Sequence, residues 1–402
     1  MTIVDVPADL AGFEAFARER LAGLVAEFAG ESGARDAGDD RIAAVEELRE
    51  GHEDQVDRVR AFQRALSDAG LAWPSGPPRF GGLGLSGAHQ SLFDDVLEDM
   101  GFPSREALFV GLNIVAPALV HHAPAELAER VVGGLYRGEL IGCQLFSEPG
   151  AGSDLAGVST KAVRDGDHWV ISGQKVWTSM GHLADVGEAL VRTDPTAAKH
   201  AGLTMLLVDM HAPGVTVRPI RQMTGGAAFN EVFLDEVRVP VSAQIGGAGD
   251  GWKVATTSLG SERSTMSGSA GPLTPYITER LVALVRRLGA ENDAVYRPQI
   301  ARTVAAIVAM RSAAALTPGS WHGGLEPLSG SVSKMLMVRA LDEISRLAAE
   351  ILGTNAFVDS GERDAFAWSE FILGVPALHL AGGTDEIQRN LIAQRGLGLP
   401  RK

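Results

Sequence analysis

Cysteine is nearly absent from this chain: Cys143 is the single one among 402 residues. An intramolecular disulfide is therefore impossible, and a cysteine-built metal centre has no second ligand. Cys143 lies in an apolar run with no activating base nearby in sequence, so it reads as a small buried hydrophobe on a strand. The ten histidines include no HExxH pairing, and the neighbours His121 and His122 diverge on a helix. Basic residues are also short, 36 against 50 acidic ones, for a net charge of −14. That balance disfavours nucleic acid, which needs a basic face, but leaves room for an anionic small ligand in a local arginine pocket. No apolar run approaches the roughly 20 residues of a bilayer span. The opening MTIVDVPADLAGFEAF has neither a basic n-region nor a signal-like apolar core, and the expectation is a soluble, cytoplasmic protein. Internal repeats and low-complexity linkers are absent as well.

What is present is a chain too long for one ordinary core, so two or three packed domains are expected. Apolar content of 45% is ample for burial, and 21% charged residues argue against wholesale disorder. Phe13, Phe16, Leu21, Leu24, Val25 and Phe28 recur mostly at helical spacing, and a second helical stretch follows a polar break at Glu31 to Asp40. The run Trp73 to Leu85 is a Pro/Gly loop, after which helices are expected at about 87–100, 104–120 and 124–137. From Leu140 to Pro240 the pattern changes to short apolar or alternating runs punctuated by Asp165-Gly166, Ala212-Pro213-Gly214 and Gly225-Gly226, a compact β domain. Helical periodicity then returns, with Leu341, Ile344, Leu347, Ala348 and Ile351 on one face. The expected domains are 1–139 all-α, 140–245 β and 246–402 α-helical.

Three stretches stand out chemically. In Phe146-Ser147-Glu148-Pro149-Gly150-Ala151-Gly152-Ser153-Asp154 the glycines allow close backbone approach and Pro149 stiffens the turn. On residues alone this is either a ligand-contacting turn or a plain surface turn. In Trp177-Thr178-Ser179, at the end of a strand pattern, the Trp either packs into the sheet or covers a planar ring. In Ala381-Gly382-Gly383-Thr384-Asp385-Glu386-Ile387-Gln388-Arg389, a helix start either binds an anion or is simply capped.

Taken in order and spacing, EPGAGSD, GQKVWTS and G-T-x-E-I-Q-R resemble the acyl-CoA dehydrogenase family over nearly the whole chain, loosely over the first fifty residues. The resemblance implies an α+β fold: an N-terminal helical domain, a middle β-barrel or sandwich domain and a C-terminal four-helix bundle. It implies FAD as cofactor, held by Gln144, Phe146, Ser147, Gly152, Ser153, Trp177, Thr178, Ser179, Thr384, Asp385 and Glu386. Trp177 would pack beside the isoalloxazine, Ser179 bond near N5, and Ser147 sit at the pyrimidine side. Thr384, Asp385 and Glu386 would meet the pyrophosphate and ribose, the two acids being better suited to ribose hydroxyls. The acyl-CoA substrate would meet Ser153, Gly383 and Arg263. In the family a base takes the α-proton, FAD N5 takes the β-hydride, and hydrogen bonds from the flavin ribitol and a backbone N–H polarise the thioester carbonyl.

Two departures matter. Many members carry the catalytic Glu immediately before the Gly-Thr, where this chain has Gly382, which cannot take a proton. Some members, the isovaleryl-CoA type among them, place the base in an L-x-x-E-R context, which here is Leu259-Gly260-Ser261-Glu262-Arg263 and implies Glu262. Arg263 points about 100° away from Glu262 on a helix and would brace the backbone or raise local positive potential. The family's R-x-x-F-G-x-x-I segment, which reaches the FAD of a neighbouring subunit, reads Arg286-Arg287-Leu288-Gly289-Ala290 here, without the Phe. Pro272 and Pro275 also interrupt the helix after Glu262. These features fit a divergent bacterial branch, and the expected assembly is a homodimer, a homotetramer or a heterotetramer with a related subunit. Electron-transfer flavoprotein is the implied acceptor. Two other readings stay open: a flavoenzyme that uses oxygen or a carrier-protein thioester, and a non-catalytic partner subunit.

Overall fold

The computed structural model describes residues 6–28, 42, 44, 53–266, 275–314, 328–360 and 366–400. They divide into two compact units, one of 1–34, 48–222 and 226–261, the other of 35–47, 223–225 and 262–402.

The first unit begins with helices α1 (Leu10–Ala22), α2 (Val25–Phe28), α3 (Glu53–Asp68), α4 (Gly87–Asp99), α5 (Ala116–His122) and α6 (Ala125–Tyr136). Asp9 caps α1 by accepting the Gly12 N–H at 2.8 Å, and α1 buries Phe13, Ala17 and Leu21 at four-residue spacing. The Pro/Gly loop holds a short 3₁₀ turn at Pro78–Phe80. A Cβ on Gly82 would lie 2.1 Å from the Gly76 carbonyl oxygen, so glycine is required there. The single helix expected at 104–120 is instead a 3₁₀ turn, a π turn (Gly111–Val115) and then α5. Glycine is required at 111, because a Cβ there would sit 2.9 Å from the Gly142 backbone nitrogen.

Eight strands follow: β1 (Gly142–Leu145), β2 (Lys161–Asp165), β3 (His168–Ser179), β4 (Val186–Arg192), β5 (Leu203–Asp209), β6 (Val215–Pro219), β7 (Phe229–Pro240) and β8 (Gln244–Ile245). They form one sheet in the order β6-β7-β3-β2-β4-β5-β8, with β1 pairing parallel to β4. The β3–β7 ladder slips register twice, between Ile171 and Gly173 and between Lys175 and Thr178. Helices and sheet of this unit share one hydrophobic core, from Phe13 and Phe62 to Leu190, Met205 and Val232.

Helix α7 (Gly251–Met266) crosses the boundary between the units at Ser261 and Glu262. The second unit continues with α8 (Pro275–Arg287), α9 (Arg297–Ala314), α10 (Ser329–Leu352), α11 (Ser369–Leu378) and α12 (Asp385–Leu391). Pro275 takes the first helical position of α8, where its missing N–H is harmless; Pro272 lies outside the described residues. Helix α10 buries Met337, Leu341, Ile344, Leu347 and Ala348 and packs against α8, α9, α11 and α12. Ile351, expected on that face, is only partly buried. After α8, Gly289 turns the chain with φ +65°. Among the described residues no helix is long and apolar enough to cross a membrane.

Candidate active site

In the first unit the Phe146–Asp154 loop leaves the end of β1 and is tied down by its own acid. Glu148 is buried: its Oε1 lies 2.8 Å from the Lys175 ammonium, and its Oε2 accepts from the Ser159 N–H and hydroxyl at 2.7 and 2.8 Å. The Thr160 N–H adds a fourth donor at 2.9 Å. Lys175, fully buried on β3, also donates to the carbonyls of Phe146 and Leu190, and Val176 N–H donates to the Ser147 carbonyl. Burial alone would raise the Glu148 carboxyl, yet Lys175 and these donors pull it down to about 2. Burial draws Lys175 down to about 8 against the pull of Glu148, so the pair is charged at neutral pH.

That staple fixes the loop and leaves its tip open. Gly152 and Ser153 are exposed, and a Cβ on Gly150 or Gly152 would meet nothing within 4 Å. Asp154 is held by Lys199 at 2.5 Å. Gln144 donates to Glu188 at 3.4 Å, and Phe146 is buried.

In the same sheet, the second register slip of β3 falls at Trp177. Its φ is +63°, a left-handed conformation that is rare for a bulky residue, and its ring is 59% exposed. The ring meets Phe229 edge-on at 6.2 Å between centroids. The bulge leaves Thr178 buried, its Oγ1 without a hydrogen-bond partner among the described residues. Ser179 is half-buried and pairs with Phe229.

In the second unit, Glu262 and the segment before α12 meet directly. The Gly382 N–H donates to Glu262 Oε1 at 3.0 Å. Gly382 has φ +66° and Gly383 φ +90°, which suit glycine and strain other residues. Burial raises the Glu262 carboxyl above the ordinary value, opposed by the Arg263 charge and the Gly382 N–H. Arg263 is half-buried, with Gly330 of α10 against its backbone; burial disfavours its charge, Glu262 favours it and Arg395 opposes it. Thr384 caps α12, its hydroxyl accepting the Ile387 N–H at 3.3 Å. Asp385 is 7% exposed and its two oxygens are taken by Lys334 at 2.7 Å and His379 at 2.8 Å. Glu386 is exposed and lies 3.5 Å from Arg389.

The structure thus gathers Gln144, Phe146, Ser147, Gly152, Ser153, Trp177, Thr178 and Ser179 within the first unit. Glu262, Arg263, Gly383, Thr384, Asp385 and Glu386 fall within the second. Glu148, Lys175, Lys334, His379 and Gln388 are the residues that sequence reasoning gave no role. Glu148 and Lys175 stood inside the motif stretches, and a buried-pair reading was available only from their positions in apolar surroundings.

Sequence profiles of the acyl-CoA dehydrogenase N-terminal, middle and C-terminal domains match residues 15–139, 143–237 and 249–397. The chain belongs to the acyl-CoA dehydrogenase family, and it is an oxidoreductase. It is 39% identical over 346 residues to acyl-CoA dehydrogenase IpdE1 of Mycobacterium tuberculosis, covering 85% of this chain and 88% of that one. FadE34 of the same organism is also 39% identical, over 84% of this chain but 46% of its own length. Among solved structures, the Tcur3481-Tcur3483 steroid ACAD matches with TM-score 0.79 and 28% identity over 100% of both chains. The ChsE4-ChsE5 complex of M. tuberculosis matches with TM-score 0.74 and 26% identity, again over 100% of both chains.

Proposed function

We propose that this chain is an FAD-dependent acyl-CoA dehydrogenase that converts an acyl-CoA to its trans-2-enoyl-CoA, with Glu262 taking the α-proton. The observation that carries the reading is the 3.0 Å bond from Gly382 N–H to Glu262 Oε1. It puts the L-x-x-E-R carboxylate at the backbone of the residue that occupies the family's commonest base position. A carboxylate near its ordinary pKa of about 4.3 is a feeble base, and partial burial strengthens it.

The first unit fits a flavin. Trp177 would lie along the ring system, the partnerless Thr178 Oγ1 and Ser179 would supply hydrogen bonds, and the unobstructed glycines and Ser153 would admit close approach. Thr384 and Glu386 would contact the pyrophosphate–ribose part. The carboxylate of Asp385, already taken by Lys334 and His379, is better read as internal support. FAD, when bound, supplies the acceptor for the β-hydrogen and its electron pair. Glu262 takes the α-proton as the new double bond forms. The Gly382 N–H, fixed beside the base, is suited to the thioester oxygen two bonds from the α-carbon. Transfer of that donor from Glu262 to the thioester would make the carboxylate more basic when substrate binds.

Electron-transfer flavoprotein is proposed as acceptor, and the enzyme as a cytoplasmic homodimer, homotetramer or heterotetramer with a related subunit, since two structural relatives carry two protein names each. The test is anaerobic bleaching of the purified yellow protein by octanoyl-, isovaleryl- and a steroid-derived acyl-CoA. Bleaching by at least one supports the reading; a flavin-free protein, or one that no thioester bleaches, opposes it. Rapid reoxidation by air would favour an oxygen-using variant.

A further inference from the structure

The loop that carries Gly382 is held by a buried polar cluster that the reaction itself does not call on. Lys334 of α10 is fully buried; its ammonium donates to Asp385 Oδ1 at 2.7 Å and to the His379 carbonyl at 3.2 Å. Asp385 Oδ2 meets His379 Nδ1 at 2.8 Å, and His379 Nε2 reaches Asp342 of α10 at 3.0 Å. The Asp385 N–H closes the turn on the His379 carbonyl at 3.1 Å. Residues 379 and 385 are therefore locked together and to α10. Inside the turn, fully buried Gln388 donates from Nε2 to the Gly382 carbonyl at 2.8 Å and reaches the Gly383 carbonyl at 3.4 Å. Two successive left-handed glycines have wide conformational freedom, and these anchors restrict the direction that the Gly382 N–H can take.

We propose that Lys334, Asp385, His379 and Gln388 are positioning residues, which act through the turn at 379–385 to hold the Gly382 N–H on the Glu262 carboxylate. This deepens the assignment of Glu262 as base and rests on it for its catalytic meaning. The geometry itself stands without that assignment. A buried charge cluster is a weak source of net stability, because desolvation offsets much of the attraction, so orientation is the better reason for its presence. Among the described residues, the charged groups that act on Glu262 are Arg263 on its own helix and, through Arg263, Arg395 beyond α12; α10 meets Arg263 with Gly330. Around Asp385 they are Lys334, His379 and, at 3.7 Å, Arg389.

The N–H stabilises the ionised form of Glu262, so loosening the turn raises the pH at which Glu262 ionises. Infrared difference titration, wild type against Glu262→Gln, isolates the Glu262 carboxyl stretch without any substrate. In Asp385→Asn its midpoint is expected to move up by about one pH unit, the size set by one hydrogen bond to a charged group. Gln388→Met leaves the charged cluster intact, is expected to move the midpoint the same way, and keeps the test open if Asp385→Asn folds poorly. A lowered melting temperature with an unmoved midpoint in either folded variant would overturn the proposal and leave the cluster merely structural. Failure of the base assignment is read separately, as flavin bleaching by octanoyl-CoA that survives Glu262→Gln.

Discussion

Glu262 takes its character from burial and two neighbours acting in opposite directions: burial raises its pKa, while Arg263 and the Gly382 N–H lower it. Removing the carboxylate charge by Glu262→Gln is expected to lower kcat by roughly 10²–10⁴-fold, the usual weight of a general base, with flavin content unchanged in the visible spectrum. The pH profiles carry a second expectation. If a bound thioester relieves Glu262 of the Gly382 N–H, the acid limb of kcat lies at higher pH than that of kcat/KM. Coincident limbs would show that the donor stays on Glu262. Gly382→Ala puts a Cβ on a residue at φ +66° and is expected to cost about 1 kcal/mol in a thermal or denaturant melt. At this scale the sequence offered Glu262 as a candidate, because Gly382 cannot take a proton and the L-x-x-E-R context supplies a carboxylate. It was silent on Lys334 and His379, whose partners lie 51 and 6 residues away along the chain with no periodicity to join them.

The Phe146–Asp154 loop and β3 behave as one element because Glu148 and Lys175, 27 residues apart, meet in the interior. Held near about 2 against an unfolded value near about 4.3, Glu148 contributes stability that is fully present above the unfolded value. That contribution disappears as the pH falls through the folded value. Glu148→Gln strands a buried ammonium, and is expected to cost about 3–5 kcal/mol and lower the melting temperature at neutral pH. A melting temperature equal to wild type would show that the staple is not needed. Strand β4 went unnamed in the sequence because Glu188 breaks its apolar run; its side chain is fully buried beside Gln144. The register slip at Trp177 was equally hidden, since a bulge is set by pairing with β7 rather than by local composition. The helix expected at 104–120 runs from Glu106 to His122, but its 3₁₀ start and its π turn at Gly111–Val115 were not legible from periodicity.

Across the whole chain, the change from helical to alternating and back to helical periodicity made the α, β, α order legible, because periodicity reports which face each element buries. What it could not report is that the first helices and the sheet share one hydrophobic core, so that they fall together in one compact unit. The assembly proposal predicts that light scattering returns a mass above the 42.3 kDa of one chain. A value of one chain at all concentrations would contradict it. The most direct test of the central claim is anaerobic stopped-flow reduction of the bound flavin in wild type and Glu262→Gln, with the acyl-CoA that bleaches wild type fastest. Glu262 as base predicts a flavin-replete variant that is not reduced on the wild-type timescale. Reduction at the wild-type rate would contradict it.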